Sequence, residues 1–267
     1  MKKKTLNGIL SSGFGSLWWG VIGVLYFKTV SHVTPLELTV HRTVWTAFLL
    51  IFSISIYNQW NEVFNIIKNV RIIFWLILSG ILIVTNWYTW IYAVTVNKLI
   101  DAAFGYYIFP ILSVFFGIIF LKESYNKNKI ISVSLVIFSL IYLLYQLKNI
   151  PWIGITVAFT FSIYGLIRKK INVSTDVGLF IESAFMTPFA LIAFYFISQN
   201  GNTYFTLSDV SMSFWLFLAG ANTLIPLGLY LYGSSLAGLG PAAMIFFLAP
   251  TGQFLLGFYY FGENLDL

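Results

Sequence analysis

Apolar residues fall in long blocks along this chain, and polar residues collect between them. The blocks lie near residues 8–28, 37–57, 72–95, 101–121, 130–147, 151–168, 178–198, 212–232 and 241–261. A helix needs about 20 residues to cross ~30 Å of hydrocarbon, so the pattern predicts nine membrane-spanning helices. The polar stretches 58–70 and 198–213 read as loops too short to fold alone.

The later part of the chain repeats the earlier part at a constant spacing. Phe74-Trp75-Leu76-Ile77-Leu78-Ser79-Gly80 returns as Phe214-Trp215-Leu216-Phe217-Leu218-Ala219-Gly220. Pro110, Gly117 and Glu123 return as Pro250, Gly257 and Glu263. The differences 214 − 74, 250 − 110 and 263 − 123 all equal 140. A five-span unit crosses the membrane an odd number of times, so its copy enters from the other side as an inverted repeat. The expected units are 1–148, with five spans, and 149–267, with four. Adding 140 to the fifth span predicts a tenth near 270–287, past Leu267 and so missing from this sequence.

Composition strengthens the membrane reading. The chain is 59% hydrophobic and 9% charged, against about 25% charged in soluble domains. A net charge of +6 raises the question of nucleic acid, but the basic residues sit between apolar blocks, where they set topology instead. With the N-terminus in the cytoplasm, Lys2, Lys3, Lys4, Lys68, Arg71, Lys122, Lys127, Lys129, Arg168, Lys169 and Lys170 fall on the cytoplasmic side. Lys28, Lys98 and Lys148 fall opposite. The first block is longer than the apolar core of a secretory signal and is read as a retained helix. With no cysteine, disulfides and thiolate chemistry are excluded.

Two charges lie inside predicted spans, Arg42 and Glu182, again 140 residues apart. Burying either costs ~2.5–3.5 kcal/mol at the bilayer centre. Two readings stand side by side: they face a water-filled route and hold a solute or proton, or Arg42 snorkels beside His41 and Glu182 orients its helix. Their mirrored depths make a direct ion pair between them no default. His41 is a candidate proton relay with Glu182, or simply a hydrogen-bonded packing residue. Asn86 lies mid-span, with Trp90 one turn on, and a carboxamide there needs a partner inside the bundle. Tyr106, Tyr107 and Pro110 follow on the next span. Asn86, Trp90 and Tyr106 together suggest an aromatic, mildly polar cavity.

Enzyme signals are poor. Asp101, Asp176 and Asp209 fall in or beside expected loops, and no phosphate-binding loop or metal-ligand cluster stands out. No catalytic residue, cofactor or metal is expected.

The chain resembles the RarD branch of the EamA-type drug/metabolite transporter (DMT) superfamily. The resemblance runs through His41-Arg42 with Trp45, Asn86-Trp87 with Trp90, and Gly105-Tyr106 with Pro110. It continues through Leu121-Lys122-Glu123, Tyr164 to Lys170, and Glu182 with Pro188. It implies an all-α integral membrane protein of two inverted five-helix repeats. It also implies a multi-pass permease or exporter of small organic metabolites or drugs in the bacterial inner membrane. Asp101 stands where the branch commonly has Glu, and Phe109 where it commonly has Asn. The expected partners are a small-molecule solute and the lipid bilayer, with a homodimer left open and no nucleic acid. The alternative is a non-transporting membrane scaffold or receptor subunit, or an inactive shortened transporter.

Overall fold

The structure, a computed structural model, describes residues 3–123, 127–146, 151–201 and 203–263. Lys2, Lys148 and the expected boundary between 148 and 149 lie outside the described residues.

Each of the nine predicted spans coincides with helix. α1 (Lys3–Leu17), a π-helical turn (Trp18–Ile22) and α2 (Gly23–Thr29) make the first span. Next come α3 (Pro35–Ile56), a short α4 (Trp60–Ile67), α5 (Val70–Thr95) and α6 (Leu99–Leu121). They are followed by α7 (Lys127–Gln146), α8 (Trp152–Ile171), α9 (Thr175–Gln199) and α10 (Val210–Ala237). α11 (Leu239–Ile245), α12 (Leu248–Leu255) and a second π-helical turn (Leu256–Tyr260) make the last span. Seven of these spans are long and apolar enough to cross a membrane; α7 and α8, of 20 residues each, fall outside that set. Large apolar side chains such as Phe14, Phe52, Phe189 and Phe196 stand on the outer surface, the exposure expected of a lipid-facing wall.

The stretch 58–70 is not a simple loop. It contains α4, because Val63 and Ile66 recur at helical spacing and bury against Ile54, Leu76, Val177 and Ile181. The loop at 200–209 is shorter than expected, and side chains of Asn69, Thr34 and Asp209 cap the helices α5, α3 and α10.

Packing follows the 140-residue spacing. α1 lies on α10 as α8 lies on α5, and α3 packs on α10 as α9 packs on α5. α3 and α9 pack on each other. α6 and α8 cross at Gly105 and Gly154, where a Cβ on Gly154 would come 2.9 Å from the Asp101 carbonyl. A side chain there would push the helices apart.

The ends of α6 and of the last span are built alike. Lys122 and Gly262, 140 apart, both adopt left-handed backbone. The next residues, Glu123 and Glu263, donate their N–H groups to the Gly117 and Gly257 carbonyls at 2.9 and 3.0 Å, closing each helix with a left-handed C-terminal turn. Their carboxylates then reach across. Glu123 accepts from the N–H groups of Leu239 and Gly240 at 2.6 and 3.0 Å. Glu263 accepts from Ile100 N–H at 3.1 Å. Each acid therefore satisfies orphan donors at a helix start across the 140-residue spacing.

Candidate functional site

Arg42 is a cation without a carboxylate partner among the described residues. It lies two turns into α3 and is 4% exposed. Its guanidinium sits over the Phe27 ring at 5.1 Å and the Trp87 ring at 4.6 Å, so α2 and α5 sandwich it. Two such cation–π contacts contribute up to ~2 kcal/mol each when water is excluded, comparable with the ~2.5–3.5 kcal/mol needed to bury the charge. The Nε hydrogen has no acceptor.

The guanidinium lines a central cavity together with Asn86, Trp87 and Trp90 of α5, Tyr106 of α6, Phe161 of α8, and Gln253 of α12. Trp19, Gly23, Phe27 and Phe246 complete it. Three local backbone features position these groups. The π turn at Trp18–Ile22 ends with Gly23 N–H bonded back to the Trp18 carbonyl, which sets Trp19 and Gly23 on the cavity wall. Pro110 sits one turn after Tyr106 in α6. Pro250 sits one turn after Phe246 and has no N–H for the Phe246 carbonyl; Ala249 N–H takes that carbonyl at 2.9 Å, and the helix breaks there. The break brings the Phe246 ring to 5.4 Å from Tyr106 and 4.9 Å from Phe109. Phe109 and Phe161 pack at 4.7 Å. These rings leave about 20 Å³ of open volume, room for roughly one water. The cavity is therefore much narrower than the passage the sequence suggests.

Its polar groups divide into used and unused. Asn86 donates to the Val157 carbonyl at 3.0 Å and to Thr160 Oγ1 at 3.1 Å, and accepts from Tyr106 O–H at 3.0 Å. Asn86 is thus a pin joining α5, α6 and α8. Trp90 N–H, a donor only, binds Gln253 Oε1 at 3.4 Å. That orientation leaves Gln253 Nε2 without an acceptor. The unused groups nearest the hollow are donors, on Arg42 and Gln253.

Glu182 lies elsewhere. It is 2% exposed, accepts from Ser79 O–H at 2.5 Å and Tyr164 O–H at 3.2 Å, and pairs with Arg168 at 3.3 Å. Arg168 also donates to the Ser174 and Thr175 carbonyls, tying down the α8–α9 turn. A Cβ on Gly178 would fall within the guanidinium, so only glycine lets it pass. Glu182 does not line the cavity of Arg42 and Asn86; it is held in this cluster, and Arg168, assigned above to the cytoplasmic side, is its buried partner.

His41 is also off the cavity. It accepts from Trp45 N–H at 3.1 Å on Nδ1, and its Nε2 lies 3.9 Å from Glu37. Glu37 is fully buried and accepts from Thr203 O–H and Tyr204 N–H, both at 2.8 Å. This acid holds the α9–α10 loop against the start of α3. Glu37, Arg168 and Gln253 were not singled out from sequence as site residues; their partners lie on distant elements, and the one local clue was a carboxylate three residues after a helix-capping Thr34.

Residues 6–145 match the EamA-like transporter family. Protein RarD of Escherichia coli (strain K12) is 31% identical over 262 residues, covering 98% of this chain and 88% of the relative. Protein RarD of Salmonella typhi is 31% identical over 261 residues with the same coverage. The uncharacterized transporter YojE of Bacillus subtilis (strain 168) is 30% identical over 271 residues, covering 97% and 87%. A bundle of apolar helices around a buried polar-aromatic centre, with this match, defines a multi-pass membrane transporter. The chain belongs to the EamA-like transporter family, in the RarD branch of the drug/metabolite transporter superfamily.

Proposed function

We propose that this chain is a secondary transporter that moves a small organic solute across the bacterial inner membrane by alternating access. The carrying observation is the central cavity, lined by α3, α5 and α6 from 1–148 and by α8 and α12 from 149–267. Two polar clusters flank it. The Glu37–Thr203–Tyr204 contact joins α3 to the α9–α10 loop, and the Arg168–Glu182–Ser79 cluster joins α8, α9 and α5. In this reading 1–148 and 149–267 are inverted repeats, the N-terminus is cytoplasmic, and the halves rock so that one cluster opens while the other stays shut. The aromatic rings of the cavity separate to admit solute.

The test is flux by the purified protein in proteoliposomes, against a panel of amino acids, organic acids, nucleosides and amphiphilic drugs. Accumulation of at least one class, abolished by Arg42→Leu, is expected. No flux for the whole panel would remove the transport reading and favour a scaffold. For proton coupling, His41 is the better-placed residue, since its Nε2 has no hydrogen-bond partner whereas Glu182 is held by three side chains. Loss of pH-gradient dependence in His41→Gln, with Glu182→Gln retaining it, is the expected pattern.

A further inference from the structure

We infer that the solute held in the central cavity is an organic anion: a carboxylate or a group of similar shape and charge, attached to a flat apolar body. This rests on the reading of that cavity as the solute route.

Charge is the first reason. Arg42 is the single charged side chain lining the cavity, and among the described residues no carboxylate pairs with it. Buried charges in proteins are normally neutralised by a partner. Glu182 and Arg168 follow that rule, at 3.3 Å. Among the described residues Arg42 lies against the faces of Phe27 and Trp87, which attract the cation but carry no countercharge. A solute anion would supply the absent counter-charge.

Hydrogen-bond direction is the second and independent reason. The cavity groups with unmet capacity are donors: Arg42 Nε and Gln253 Nε2. The neighbouring amide oxygens already accept one bond each, Asn86 Oδ1 from Tyr106 and Gln253 Oε1 from Trp90, so the donors are the groups left wholly unbonded. Trp90 is accordingly a positioning residue, since its N–H turns the Gln253 amide so that the NH₂ group stays free. A carboxylate is an acceptor-only group whose two oxygens suit a planar guanidinium. An ammonium solute would be drawn to the ring faces but would sit beside the fixed positive charge of Arg42, which repels it and has no carboxylate to offset it among the described residues. The apolar body follows from the remaining lining, which is mostly rings: Trp19, Trp87, Phe161 and Phe246.

Three probes sharing one ring test the idea on the purified chain in detergent: 3-phenylpropionate, its neutral amide, and the cationic 3-phenylpropylamine. Tryptophan fluorescence and thermal unfolding report binding, with sodium chloride as an inorganic-anion control. The acid should bind about ten- to a hundredfold more tightly than the amide, as a charge-assisted contact implies, and the amine should not bind. Arg42→Lys should weaken the acid about tenfold while keeping the sign preference, and Arg42→Gln should erase that preference. Trp90→Phe should weaken the acid without changing the order of the probes.

The comparison on the unaltered protein needs no variant, so a misfolded Arg42→Gln does not spoil it. Equal binding of acid and amide, binding of the amine, equal protection by chloride, or no binding of any probe would overturn the inference. Flux assays separate it from the broader reading. Transport of neutral or cationic solutes alone would sink the anion assignment and leave transport standing. Tight acid binding without flux would do the reverse.

Discussion

Tyr106 and Phe246, 140 residues apart, meet at the centre of the bundle with ring centroids 5.4 Å apart. Each stands one turn before a proline, Pro110 in α6 and Pro250 in α12. The tyrosine carries the polar end of the pair, and its hydroxyl fixes Asn86. The phenylalanine stands where its own helix breaks. Equivalent positions therefore do different work: one tethers α5 to α6, and the other fills the hollow.

Tyr106→Phe should cost ~1–3 kcal/mol, because it leaves a buried Asn86 oxygen with no donor. Thermal unfolding in detergent measures it. A melting temperature equal to that of the unaltered protein would show that Asn86 finds another donor.

Glu123→Ala and Glu263→Ala should each destabilise by ~0.5–2 kcal/mol, the usual range for losing a helix-start cap. Glu123 serves two N–H groups and Glu263 one, so the first should be the larger loss. The double variant should lose about the sum, since each carboxylate serves a different helix start. Reversal of the order in thermal unfolding would contradict the geometry.

Removing one member of a buried ion pair strands the other. Glu182→Ala should cost ~3–5 kcal/mol, and the double change Glu182→Leu with Arg168→Met should cost less than that single change. Gly178→Ala should be severe alone and mild in an Arg168→Ala background, because its clash is with that guanidinium. A double-mutant cycle on unfolding temperature reads both; additivity of Gly178 and Arg168 effects would refute the contact.

Glu37→Gln should loosen the α9–α10 loop, since a neutral amide accepts more weakly than a carboxylate. Hydrogen exchange at Tyr204 and its neighbours should quicken while α5 and α6 stay protected. Unchanged exchange in the loop would mean that other bonds hold it.

Much of the fold can be read in the sequence, for physical reasons. Hydrocarbon thickness demands long apolar runs, so the spans stand out, and the spacing of Pro110, Gly117 and Glu123 against Pro250, Gly257 and Glu263 follows from matching helix ends. α4 was missed because a short amphipathic helix between spans looks like a polar connection. Of the candidate site, Arg42, Asn86, Trp90 and Tyr106 do line one cavity; their part in moving a solute remains the proposal made above. Arg168 was hidden beside Lys169 and Lys170, as if all three faced water, while its partner lies 14 residues away across a turn. Glu37 binds a loop 166 residues on, and Gln253 meets a tryptophan 163 residues earlier. Partners at that range leave no local periodicity to read.

The exchanged caps also carry a timing consequence for biosynthesis. Ile100 leaves the ribosome 163 residues before Glu263, which at ribosomal elongation rates is on the order of ten seconds. Throughout that interval the first turn of α6 lacks its acid, so the early helices wait in the bilayer with an unfinished seam that only late-made chain can close.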